Sequence, residues 1–355
     1  MSRRFRRSRD QSAPPATLEI VCDESGFAGG NLVGPGHSPV FAHASLTIGA
    51  KRAATLIAAL RAHGRPGPGE FKAARLTPSQ QAAAATWLSQ SEMTADRALV
   101  HLTDTRFFVL ARTVDVLLGD QPVGGIDSPG ATPELRRAAV ALYRASRQSR
   151  EQERWDHFLI AAANLLRTNN RWLPPDPLPR FAESIEGVSA TEPDPDAAAL
   201  LRRMQAAGSR AAEVRAALVR DRRAAPLMEP LLPALMCAIQ TWGARTDSLR
   251  VVHDEQSALT PWRVAEMGAR LAAQPSGGHL ESVHRVDSRE DARVQVADLL
   301  AGLGRRWAAA TLASQNDATH AGRTRPGGSD LDLGPRLRPL VDPRSVWVEP
   351  LRPDQ

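Results

Sequence analysis

The sequence holds only two cysteines, Cys22 and Cys237, far apart and each in apolar surroundings. That excludes a disulfide framework and a cysteine-rich zinc site, and both are expected to be packed thiols. Nowhere does the chain approach the roughly 18 uninterrupted apolar residues of a membrane helix. The opening MSRRFRRSRD carries a twin-arginine pair but lacks the apolar stretch of about 7–15 residues that a signal peptide needs. These absences predict a cytoplasmic protein with no membrane association. Lysine is nearly missing: Lys51 and Lys72 leave 43 of the 45 basic residues as arginine. Three catalytic motifs are also absent. There is no G-x-x-x-x-G-K-[ST] loop, no G-x-S-x-G elbow and no H-E-x-x-H. This argues against P-loop nucleotide hydrolysis, an α/β-hydrolase serine and a zincin metalloprotease.

What is present describes a globular chain. The 355 residues are 42% hydrophobic and 24% charged, enough apolar material for a large core. The net charge of +6 favours a polyanionic partner such as nucleic acid. Arg3, Arg4, Arg6, Arg7 and Arg9 supply five of the positive charges within an arm, residues 1–16, expected to be disordered. The plain alternative is a basic tail without a specific partner.

The pattern of elements points to an α/β protein. TLEIVCD at 17–23 reads as a buried strand, and after a Gly/Pro loop the alternation from Val40 to Ile48 reads as a half-buried strand antiparallel to it. Helices are expected at 51–63, stopping at Gly64, and at 77–91, with a strand at 97–103 and a helix at 105–118. Residues 120–246 are Ala/Arg-rich and poor in β-branched residues, which predicts a helical insertion. The α/β pattern resumes with a strand at 248–254, then a helix capped by Thr260 with Pro261 at its first position. A strand at 280–286, a helix at 293–312 and a last short strand SVWVEP complete the reading. The expected organisation is an arm (1–16), a core in two parts (17–119 and 247–312), the insertion (120–246) and a C-terminal extension (313–355).

Two of these strands end in an Asp-Glu pair followed closely by serine: Asp23-Glu24-Ser25 and Asp254-Glu255-Gln256-Ser257. Strand ends of open α/β sheets are where ligands collect. Because side chains alternate along a strand, at most one acid of each pair is expected to face a common site. A third acid, Asp298, shares a helix face with Val294, Ala297 and Ala301, and such small neighbours allow a helix to approach a sheet closely. A solvated surface position is the plain alternative for Asp298. Gathered acids repel one another and raise their own pKa values unless cations neutralise them. Magnesium takes oxygen ligands from carboxylates and substrate phosphate, and paired ions activate water in phosphodiester hydrolysis.

VCDESG at 21–26, EFKAARL at 70–76, VVHDEQS at 251–257 and VQVADLLAG at 294–302 resemble, in order and spacing, the bacterial family catalogued as domain of unknown function 3800. The resemblance spans about 17–119 and 247–312. It implies a ribonuclease H-like fold, with a mixed five-stranded sheet flanked by helices. It also implies metal-binding acids at Asp23, Asp254 and Asp298, with Glu70 as a fourth. Here a helix is expected before Glu70 and a strand after it, a departure from the simplest ribonuclease H order. Lys72, kept in so arginine-dominated a chain, suits a compact point charge for phosphate or carboxylate; its presence can equally be incidental.

The expected function is thus a Mg2+- or Mn2+-dependent nuclease with Asp23, Asp254 and Asp298 in catalysis and Glu255 as an extra ligand or proton shuttle. The rival readings are a non-catalytic nucleic-acid-binding protein and a protein-interaction module acting through the helical insertion.

Overall fold

The computed structural model describes residues 17–26, 32–63, 72–90, 93–120, 124–130, 132–167, 176–221, 226–274, 278–320 and 333–348. Glu70, Gly64 and the arginine-rich arm fall outside the described residues. The centre is a five-stranded mixed sheet: β1 (Thr17–Ser25), β2 (Val40–Leu46), β3 (Ala98–Asp104), β4 (Ser248–Asp254) and β5 (His279–Val286), in the spatial order β3-β2-β1-β4-β5. β1 pairs antiparallel with β2 and β2 antiparallel with β3, while β1–β4 and β4–β5 are parallel.

The first eight helices among the described residues are α1 (Ala50–Ala62), α2 (Pro78–Gln90), α3 (Thr105–Leu118), α4 (Pro133–Gln148), α5 (Gln152–Leu165), α6 (Leu178–Ser189), α7 (Pro195–Ala206) and α8 (Gly208–Arg220). They are followed by α9 (Leu231–Gly243), α10 (Pro261–Ala272), α11 (Ala292–His320) and a single turn, α12 (Gly334–Leu337).

Alternation on the strands builds two cores. Val21, Ala42, Ala44, Val100 and Val252 face α11 and α1. Ile20, Cys22, Phe41 and Val251 face α9 and α10. β2 was expected to be half-buried, but every one of its residues is buried. The physical reason is that helices cover both faces, so His43 and Ser45 are enclosed together with the apolar positions. The 120–246 segment, expected as one helical insertion, divides in two. α4–α8 pack with α3 around their own core, whereas α9 lies on the sheet and its Trp242 indole donates to Ser45 Oγ at 2.9 Å.

Smaller differences have local causes. Thr260 sits at the start of α10 but makes no capping hydrogen bond, and its Oγ1 is buried without a partner among the described residues. Residues 345–348, the described part of SVWVEP, do not form a strand; Val346 makes an isolated bridge to Thr103, and Val341 one to Val100. Asp342 N donates to Val100 O, Asp104 N to Val346 O, and Leu102 N to Ser345 Oγ. The tail therefore satisfies the outer backbone of β3, an edge that would otherwise be open to pairing.

Candidate functional site

The C-terminal ends of β1 and β4 lie side by side, with Cys22 opposite His253 in the last registered pair. Asp23 and Asp254, one residue further on, both follow the alternation toward the face covered by α11. Asp298 reaches them from α11. Its flank is small: Gly302 and Gly304 allow the helix to press against its neighbours, and a Cβ on either would lie 2.3 Å from Ala73 Cβ or 2.8 Å from Val100 Cγ1. Asp298 is buried, so its position is not the solvated helix face.

Each acid is held by the fold. Ala73 N donates to Asp298 Oδ2 at 2.6 Å, and Ser288 N donates to Asp254 Oδ1 at 3.1 Å. Asp23 Oδ1 accepts from Glu24 N at 2.7 Å. Lys72 Nζ lies 3.6 Å from Asp254 Oδ2 and 3.5 Å from Ser288 Oγ. The lysine singled out in the sequence therefore stands against one of the acids.

Burial, followed by the charges of Glu24, Asp298 and Asp254, pushes the Asp23 carboxyl well above its ordinary range. The charges of Asp254 and Asp298 both act on Asp23, so the three aspartates share one electrostatic neighbourhood. Glu24 points to the other face of β1, toward His253 Nε2 at 3.8 Å, and accepts a hydrogen bond from Gln256 Nε2. Burial, then Asp254 and Glu229, push Glu24 up to about 8, against the opposing effect of Lys72. Asp23 Oδ2 and Glu24 Oε2 are both buried without a hydrogen-bond partner among the described residues. A buried polar atom left unpaired costs roughly 1–3 kcal/mol, more when charged.

By strand alternation alone, Glu24 is expected to face away from Asp23. Yet β1 is apolar on both faces, and that signal marks both acids of its terminal pair for burial. Ser288 gave no sequence signal, since it serves through its backbone amide. Glu255 is exposed and is not part of the cluster; it borders an open surface depression with Gln256, Ser257, Val283, His284 and Arg285. β4 ends at Asp254, and the chain turns outward there, carrying Glu255 with it.

Among the described residues, no group of three or more His, Cys, Asp and Glu side chains stands in a metal-holding arrangement. The donor chemistry nonetheless fits a hard cation. Three carboxylates on the α11 side of the sheet come from two strand ends and one helix, and one of their buried oxygens, Asp23 Oδ2, has no hydrogen-bond partner among the described residues. No family model, curated protein or solved structure matches the chain. No described helix is long and apolar enough to cross a membrane.

Proposed function

We propose that this protein is a divalent-metal-dependent nuclease whose Asp23, Asp254 and Asp298 hold Mg2+ or Mn2+, with Glu24 beside them and Glu70 as a further ligand. The observation that carries this reading is Asp23 Oδ2, a buried carboxylate oxygen with no hydrogen-bond partner among the described residues, at a strand end crowded with acids. Like charges buried together are tolerated where a cation completes the site. When bound, the ions supply an activated water and stabilise the leaving oxygen of a phosphodiester.

The chain's own residues supply the orientation. The Ser288 and Ala73 amides fix one oxygen each of Asp254 and Asp298, leaving a defined direction for the rest of each carboxylate. Lys72 offsets part of the negative charge and stands where it can meet a substrate phosphate.

The strand order, with an antiparallel β1–β2–β3 meander and parallel β4 and β5, supports the finer reading of a ribonuclease H-like fold. The four motifs support membership of the domain of unknown function 3800 family. The free thiols Cys22 and Cys237 suit a cytoplasmic location.

One observation favours a second reading, a non-catalytic nucleic-acid-binding protein. Lys72 already places a positive charge against Asp254, as a resident substitute for a metal. Cleavage assays with manganese on single-stranded, duplex and hybrid substrates separate the two. The nuclease reading expects wild type to cut and both Asp23→Asn and Asp254→Asn to be inactive. A wild type whose melting responds to metal but which cuts nothing supports the binding protein instead.

A further inference from the structure

Arg305 follows Asp298 by seven residues on α11, which is two helical turns along nearly the same face, roughly 10 Å apart. It is half-buried, and its guanidinium contacts are unusual for this chain. Nε donates to Ser25 Oγ at 3.0 Å and Nη1 to Ser38 Oγ at 3.4 Å. No carboxylate pairs with it among the described residues. Other partly buried arginines are partnered differently: Arg293 pairs with Glu19 and Asp291, and Arg306 donates to a backbone carbonyl, Ala73 O, at 2.7 Å. A guanidinium offers five N–H donors, and the two that Arg305 engages meet neutral hydroxyls, those of Ser25 and Ser38.

The strand end is shaped around this side chain. Gly26 has φ +102°, and a Cβ there would lie 2.6 Å from Arg305 Cδ and 2.4 Å from Val40 O. Only glycine lets the arginine cross the end of β1. Ser25 and Gly26 of the Asp-Glu-Ser-Gly motif thus have a shared purpose, one holding the guanidinium and the other making room for it. On its other side Arg305 adjoins Arg306, so the rim of the carboxylate site carries two neighbouring cations. Burial, then Arg306, holds the Arg305 guanidinium below its ordinary value, while Asp298 pulls it the other way.

We propose that Arg305 is a phosphate-binding residue on the rim of the acid cluster, receiving the oxygens of a phosphodiester through the donors its serine partners leave unused. The planar fork suits two phosphate oxygens at once. That the phosphodiester belongs to nucleic acid rests on the proposed nuclease reading; the anion site itself does not.

The test compares wild type, Arg305→Ala and Arg305→Lys in full-length protein. Fluorescence anisotropy with a labelled single-stranded oligonucleotide is read at several salt concentrations, in calcium and in EDTA, with pyrophosphate as competitor. Losing a charge-assisted contact should weaken oligonucleotide binding about tenfold or more in Arg305→Ala. The slope of log affinity against log salt should fall by about 0.7–0.9. Arg305→Lys should keep most of the slope while losing part of the affinity. Melting temperatures should stay close to wild type in both, and EDTA should not abolish the difference. Equal affinities, or a loss matched by a lowered melting temperature in both variants, overturn the proposal and leave Arg305 as a tie between Ser25 and Ser38. Failure of wild type to bind either probe also overturns it. A wild type that binds through Arg305 but cleaves nothing removes the nuclease reading and keeps this site. Cleavage with an unchanged KM in Arg305→Ala does the reverse.

Discussion

The backbone amide of Ala73 donates to Asp298 Oδ2 over 2.6 Å, joining positions 225 residues apart in the chain. The same turn touches α11 again at Gly302, where an added Cβ would lie 2.3 Å from Ala73 Cβ. Gly302→Ala should therefore destabilise the protein by about 1–3 kcal/mol through overpacking, even though alanine favours a helix interior by about 1 kcal/mol. Urea denaturation measures this. A variant as stable as wild type would mean that the Ala73 turn yields freely and does not fix Asp298.

Asp23 is buried among like charges, and its carboxyl sits well above the ordinary range for that reason. Asp23→Asn keeps the oxygen that accepts from Glu24 N and removes the charge. In metal-free buffer at pH 8 its melting temperature should rise by a few degrees, the response expected of about 1 kcal/mol. A clear fall in metal-free buffer would show that the carboxylate is satisfied in a way the cluster does not explain.

The sheet and its helices were legible because apolar alternation and helix periodicity report which faces are covered. Asp298 was legible through its small neighbours, and Asp23 and Asp254 through their strand ends. Depth of burial was not. His43 and Ser45 read as the wet side of β2, yet α9, nearly 200 residues away in sequence, closes over them. Backbone donors such as Ser288 N leave no mark in side-chain identity. Glu255 follows Asp254 by one residue, and only the outward turn at the end of β4 separates an exposed acid from a clustered one.

His101 is buried in β3 with neither ring nitrogen hydrogen-bonded among the described residues. Burial pushes it down to about 4, with Asp342 opposing and Arg344 reinforcing the shift. The unfolded chain takes up a proton near 6.5 that the folded protein refuses until about pH 4. This contribution to stability is complete above about pH 6.5 and is lost as pH falls through that window, up to about 3 kcal/mol. His101→Leu should remove the loss. Its stability relative to wild type should be greater at pH 5 than at pH 8 in denaturant titrations. A difference independent of pH would mean that His101 charges freely in the folded state.

Arg112 is fully buried on α3, and its guanidinium donates to Gly124 O at 3.2 Å, Gly125 O at 3.3 Å and Asp127 O. It also lies 5.3 Å from the Phe108 ring centroid. A lysine cannot reproduce that fork. Arg112→Lys should cost about 2–4 kcal/mol, because buried carbonyls lose their donors. Chemical denaturation reads the loss, and proteolysis within 124–130 should quicken. Wild-type stability in the variant would show that the loop does not depend on this side chain.

The acids at the ends of β1 and β4 and on α11 are proposed to form a cation site. Calorimetric titration of manganese into metal-free protein tests it most directly, with wild type, Asp23→Asn, Asp254→Asn and Asp298→Asn measured under the same conditions. Wild type should bind one or two ions saturably. Each substitution should weaken it at least tenfold, while Glu255→Gln, at an exposed position outside the cluster, should bind as wild type does. Wild-type protein that takes up no manganese, or variants that all bind it equally well, would contradict the claim.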